Sequence, residues 1–324
     1  MRSCVIGLSL LGLTACGDRR EAEETVPGPS LGDAELVLYT SLPHESVVRI
    51  ADAWREVSGV TLSFLIDEPG ALIQKMADKE HYPGADLLLL TDSVSIAEAV
   101  DQDVLRPVYG LESSAASARL PADADGYWRA VGVTADLIVA EASMEIPSTY
   151  AELGEAPYKD QLCLRRGIDP RSVALVASMT ERLGARDAEL AVRGWRYNQA
   201  TAAFDTEAEL LAALAAGDCS IAIVDSRSVA AAGSLPASLK AGVPTDTTAG
   251  AHVHPLALGV SRHARDPETA GKFVDWLLSP DGQAALQAVG ATGGLDALPE
   301  RMREPLPYFL YEDARLLIER ARYR

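Results

Sequence analysis

ADLLLLTDSVSIAEAV, residues 85–100, is the stretch on which the fold of this chain turns. Residues 85–90 form a continuous apolar run without polar alternation, the pattern of a strand covered on both faces in a parallel sheet. Residues 93–102 then read as a helix, so the segment is one strand–loop–helix unit of an α/β layer. The same alternation extends upstream. ELVLYT (35–40) predicts a strand, followed by a short loop and a helix over 45–58. That helix has apolar residues at Val47, Val48, Ile50, Ala51, Trp54 and Val57, with Gly59 as its stop. A strand over 60–66 and a helix over 71–79 complete this half. Downstream, WRAVGVTADLIVA (128–140) is a long strand standing where a first lobe should end.

The alternation then resumes, with strands over 161–164 and 220–224 and helices over 172–183, 187–198 and 207–216. A strand over 256–260 comes back late, before helices over 267–278 and 281–289. The expected architecture is two α/β lobes, each a mostly parallel sheet flanked by helices. Lobe 1 spans about 35–130 and lobe 2 about 140–250, with the chain crossing back after about 250. Residues after about 295 carry no assigned role. Open α/β sheets bind ligands outside the carboxyl ends of their strands, beside helix N-termini. That rule puts the chemistry on the loops after Thr40, Leu90, Leu164 and Val224.

The N-terminal region reads as an export signal. Arg2 precedes an apolar run that closes on Leu13-Thr14-Ala15-Cys16, too short to span a bilayer as a helix. These four residues resemble a bacterial lipobox, in which the peptide is cut before the cysteine and the cysteine is lipidated. Residues 1–15 are therefore read as signal peptide and 16–34, rich in charge, Pro and Gly, as a flexible tether. The solute-binding domain occupies 35–324. No later segment approaches the 18 uninterrupted apolar residues of a membrane span.

The net charge of −18, from 29 basic and 47 acidic residues, excludes nucleic acid as a partner, since phosphate contacts need a basic surface. Of four cysteines, Cys4 leaves with the signal and Cys16 takes the lipid. Cys163 and Cys219 remain, as a disulfide or as two buried thiols. No nucleophile elbow, His-Glu-x-x-His helix or phosphate loop is present, so an enzyme is not expected.

Four stretches carry a resemblance to the type 2 periplasmic binding proteins, and within them to the ferric-iron-binding branch. They are LVLYTSLPHESVVRIADAWREVSGV from Leu36 with ADLLLLTDSVSIAEA from Ala85, YKDQLCLRRGIDPRSVALVASM from Tyr158, GDCSIAIVDSRSVAA from Gly217, and GAHVHPLALGVSRHARDPETAGKFVDWLLSPDGQAAL from Gly250. The resemblance implies a Venus-flytrap whose two lobes close on a ligand, a monomer that docks on the permease of an ABC-type importer. It also implies a Cys163–Cys219 disulfide, because both cysteines fall on or beside neighbouring strands of the second lobe. A ligand-sensing lipoprotein that presents its closed form to a membrane receptor would use the same fold.

The site departs from the iron-binding pattern. Those relatives hold ferric iron with two consecutive tyrosines after the strand that is 220–224 here, and this chain has Arg227 and Ser228 there. An arginine does not lose its proton to ligate a metal. In the first lobe, His44 and Glu45 match the ligand-bearing loop and are the candidate metal face, against the alternative that they simply start a helix. Asp92 is a cleft ligand or a helix cap. Arg165 and Arg166 follow a strand end as an anion clamp, with Arg166 included in the site. Ser172 resembles the position from which relatives contact the anion that completes the iron shell. Tyr39 lies inside the strand, one pleat from the cleft loop, as a packing residue or a border of the pocket. His252 and His254 share one face of an extended segment, but that segment matches a lobe-crossing stretch and is read as structural.

No resident cofactor is expected. The implied ligand has an anionic end and a polar or cationic one, as in a phosphorylated sugar, an organophosphonate or a metal chelate. The alternative is a ferric-iron carrier using His44 and Glu45 with non-standard ligands.

Overall fold

The computed structural model describes residues 35–78, 84–108, 120–244, 251–290 and 305–323. Cys16, the signal and the tether lie outside the described residues. The elements alternate as the sequence predicts: β1 (Glu35–Thr40), α1 (His44–Ser58), β2 (Thr61–Ile66), α2 (Pro69–Ala77), β3 (Leu87–Leu90), α3 (Ser93–Asp101) and β4 (Leu105–Arg106). β5 (Trp128–Glu141) is followed by β6 (Leu162–Cys163), α4 (Pro170–Leu183), α5 (Ala185–Asn198), α6 (Glu207–Ala216), β7 (Ile221–Asp225), α7 (Ser226–Ala231) and β8 (Leu239–Gly242). β9 (Val253–Ser261), α8 (Pro267–Leu277), α9 (Pro280–Gln287) and α10 (Tyr308–Ala321) complete the chain.

The strands run in the order β2-β1-β3-β9-β5-β7-β6, with β4 beside β9 and β8 beside β5. Parallel pairing joins β2, β1 and β3, and also β6 and β7. β3 is buried at all four positions, as its unbroken leucines require. β5 and β9 enter antiparallel to their neighbours and to each other. The reason is topological: the chain leaves its first half along β5 and returns along β9, so the two strands run in opposite directions. The sheet is consequently mixed, with its parallel part confined to the flanks.

β5 belongs to both halves. Its first part pairs with β9 as far as Ala135↔Val253, and its last part pairs with β7 from Asp136↔Asp225 onward. Asp136 therefore stands where the strand changes partners. One hydrophobic core gathers β1 to β4, the start of β5, β9, α8 and α9. In it Trp54 of α1 meets Phe273 and Trp276 of α8, with ring centres 5.3 and 5.4 Å apart. A second core gathers the end of β5, α4, α5 and α10. α10 turns Tyr311, Ala314, Leu317, Ile318 and Ala321 inward on one stripe, and its continuation anchors Tyr323, whose hydroxyl donates to the Arg165 carbonyl at 2.6 Å. A smaller cluster holds the Cys163–Cys219 disulfide, Cα–Cα 5.8 Å, beneath α6. No helix among the described residues is long and apolar enough to cross a membrane.

Candidate functional site

The loops after β1, β3, β6 and β7 converge, and a residue not singled out from the sequence joins three of them. Arg171 is the second residue of α4, a helix that starts with Pro170 and is capped by Asp169, which accepts from the Arg171 amide at 3.0 Å. Its guanidinium donates to the Thr91 carbonyl at 3.4 Å, to Thr134 Oγ1 at 3.1 Å and to Asp136 Oδ1 at 3.3 Å. It also pairs with Asp225 Oδ2 at 3.2 Å. One side chain thus ties the end of β3, the middle of β5 and the end of β7 to the start of α4. Ser41 Oγ lies 3.4 Å from Thr91 Oγ1, which adds the loop after β1. Burial opposes charge on Arg171, but Asp225 and Asp136 outweigh it and raise its pKa.

Around this centre the charges are paired internally. Arg165 meets Asp169 at 2.6 Å and Glu207 at 3.9 Å. Arg227 lies 3.5 Å from Asp225, with its side chain 19% exposed. Burial, offset in part by Asp225 and reinforced by repulsion from Arg171, lowers the Arg227 pKa. The positive charge is poorly compensated there, so an added anion would be favoured. Ser226 Oγ accepts from the Ala135 amide at 3.0 Å and fixes the first turn of α7 against β5. A cavity of about 20 Å³ remains among Arg165, Asp169, Ser172, Glu207 and Tyr323, room for about one water. A solute must therefore displace side chains or part the two halves. Roomier hollows, about 160 Å³ beside Arg129 and about 560 Å³ beside Ile168, have no such convergence of strand ends.

The sequence-predicted residues divide into two groups. Arg227, Ser228 and Ser172 stand at the convergent helix starts, Ser172 with its Oγ 3.5 Å from the Tyr323 hydroxyl. Asp92 is 2% exposed and caps α3, accepting from the Ser95 amide at 2.7 Å, so its near oxygen is committed to the helix. Of the two adjacent arginines, Arg165 turns inward. Arg166 turns out to Asp205 at 2.6 Å with half its side chain exposed, because neighbours on an extended segment point to opposite faces. His44 and Glu45 begin α1 and are exposed. The His44 ring meets Phe64 edge-on at 5.7 Å, and no hydrogen bond or ion pair among the described residues links either to Arg171. Tyr39 is buried within β1.

Among the described residues, the tyrosines at the centre, Tyr150 and Tyr323, have their hydroxyls engaged. The Tyr150 hydroxyl donates to the Asp136 carbonyl at 2.6 Å and accepts from the His252 amide at 3.0 Å. Burial raises the pKa of both Tyr150 and Tyr323. The local signal for Arg171 is Asp-Pro-Arg-Ser at a helix start. Nothing local distinguishes it from the adjacent Arg165 and Arg166, since contacts 35 to 80 residues away leave no trace in the sequence around it.

Glu207, the first residue of α6, accepts from the Asp225 amide at 3.3 Å. Burial, aided by repulsion from Asp225 and Asp136, outweighs the pull of Arg171 and Arg165 and pushes its pKa from 4.5 up to about 7. The proton it takes up stabilises the fold at low pH, and that contribution is lost as pH rises from about 4.5 to about 7. Glu207→Gln removes the titration. Relative to the natural chain it should gain on the order of 2–3 kcal/mol between about pH 4 and about pH 8, read by urea unfolding. A difference that stays constant with pH contradicts this reading.

Comparison with known proteins gives a consistent picture. The family profile for bacterial extracellular solute-binding proteins matches residues 66–300. Iron uptake protein A1 of Synechocystis is 22% identical over 297 residues, covering 87% of this chain and 80% of that protein. A Trichodesmium protein (IdiA, FutA) solved in complex with iron and citrate superposes with a TM-score of 0.76 at 20% identity, over 90% of this chain and all of that one. The periplasmic binding protein AfuA of Actinobacillus pleuropneumoniae, solved with fructose-6-phosphate bound, gives 0.68 at 17% identity, over 89% and 98%.

Proposed function

The chain belongs to the bacterial extracellular solute-binding protein family, and from that premise we propose that it is the extracytoplasmic receptor of an ABC-type importer, held at the membrane by lipid on Cys16. It captures its solute without turnover where the four strand-end loops meet and presents the closed form to the permease. The solute is a small anion or a metal complex with anionic groups. The observation that carries this reading is the pair Arg171 and Arg227 at the meeting point. Arg227 carries a charge that burial disfavours and Asp225 only partly offsets. A phosphate or carboxylate there would gain charge-assisted hydrogen bonds. Similar proteins solved with iron and citrate and with a sugar phosphate fit that chemistry.

Ferric iron held by tyrosinates does not fit the residues present. Arg227 and Ser228 stand after β7, and the nearby phenols of Tyr150 and Tyr323 are engaged with backbone carbonyls. The purified chain titrated with ferric citrate should therefore stay colourless, while native mass spectrometry should recover an anionic ligand. A visible charge-transfer band that vanishes when a tyrosine is replaced would instead establish the iron carrier, with His44 and Glu45 as candidate partners.

A further inference from the structure

Where β5 passes from its pairing with β9 to its pairing with β7, three side chains able to ligate a metal come together. Asp136 Oδ2 lies 2.9 Å from His254 Nε2. The His252 and His254 rings stand 4.6 Å apart, nearly perpendicular. One ligand atom from each of the three residues lies within 4.8 Å of the other two. His254 is fully buried. Its Nδ1 and the Nε2 of His252 are both shielded from solvent and have no hydrogen-bond partner among the described residues. An unsatisfied buried polar group costs about 1–3 kcal/mol, and two such nitrogens beside a carboxylate are not explained by packing.

We propose that Asp136, His252 and His254 form a divalent transition-metal site at the crossing of β5 and β9, next to the solute site and touching it through the Asp136–Arg171 contact. Two imidazoles and a carboxylate suit zinc, copper or nickel rather than calcium or magnesium. Ligand bonds of about 2.0–2.2 Å would place the donor atoms about 3.3 Å apart, and Asp136 Oδ2 and His254 Nε2, at 2.9 Å, already lie within that separation.

Arg171 engages the other oxygen of Asp136 and is itself shared with Asp225, which leaves Asp136 Oδ2 to His254. The site does not depend on the identity of the solute or on the anion reading of the cleft.

The test is calorimetric titration of the metal-stripped, purified full-length chain with zinc chloride, repeated on His252→Ala and His44→Ala. One equivalent should bind to the natural chain and to His44→Ala, and binding should weaken at least about tenfold in His252→Ala. Zinc should also raise the melting temperature of the natural chain and not that of His252→Ala. Should His252→Ala fail to fold, cobalt(II) added to the natural chain decides the matter through the visible absorption of a nitrogen- and oxygen-ligated, low-coordinate site. The proposal is overturned if the natural chain takes up no stoichiometric zinc, if cobalt stays in its hexa-aqua spectrum, if folded His252→Ala binds zinc unchanged, or if His44→Ala is the variant that loses it. Solute binding that persists in His252→Ala separates the two sites.

Discussion

Replacing Arg171 with methionine should cost the fold about 3–5 kcal/mol, the usual consequence of removing one partner from a buried ion pair. The side chain is 15% exposed, and its carboxylate partners Asp136 and Asp225 are 6% and 1% exposed. Without the guanidinium both carboxylates remain in a low-dielectric setting, and Thr134 Oγ1 and the Thr91 carbonyl each lose a donor. Urea unfolding at pH 7 would read the loss as a lower midpoint with an unchanged slope. The deficit should shrink as pH falls toward about 4, because Asp136, whose pKa burial already raises, then takes up a proton in the folded state. Arg171→Lys should retain part of the stability but not the four-way geometry, since an ammonium is a point charge where the guanidinium is a planar fork. A loss below about 1 kcal/mol for Arg171→Met would mean that the network contributes only as an exposed pair would.

The second large effect concerns the disulfide. Cys163 and Cys219 are 56 residues apart in sequence, and closing a loop of that length stabilises the fold by about 4 kcal/mol on the chain-entropy estimate. The loop encloses α4, α5 and α6, which supply much of the second core. Cys163→Ser with Cys219→Ser should lower stability by about 2–5 kcal/mol, seen as an earlier urea midpoint, and reduction of the natural chain should reproduce the loss. If the double variant and the oxidised natural chain unfold together, the bond adds nothing to stability.

Most of the architecture could be read locally. The unbroken leucines of 87–90 marked a strand covered on both faces, and β3 is buried throughout. Helical spacing in 45–58 placed Val47, Ile50 and Trp54 inward, as found, while Val57 at the end of the same stripe is exposed. Residues 308–321 also carry a helical stripe, but it was not assigned from the sequence. Nothing local says that a C-terminal segment returns to pack on α4 and α5, and that return is what buries the stripe. The Cys163–Cys219 pairing was expected from the resemblance and is present. The binding residues were less legible. Whether Asp92 caps a helix or faces a ligand, and which of Arg165 and Arg166 turns inward, depends on side-chain direction at element ends, where periodicity gives no guide.

The amino-acid sequence by itself determined the alternation of strands and helices, the division into two α/β halves and the absence of a tyrosine pair after β7. Each is a property of short segments whose patterning or composition dictates what they can bury or bind. The tertiary structure alone decided that β5 is shared between the halves with Asp136 at the change of partner. It alone brought Arg171 against Thr91, Thr134, Asp136 and Asp225, and set His252 and His254 beside the same carboxylate. Partners in these contacts lie up to 118 residues apart in sequence, and long-range packing of the sheet, not local propensity, sets the distance between them.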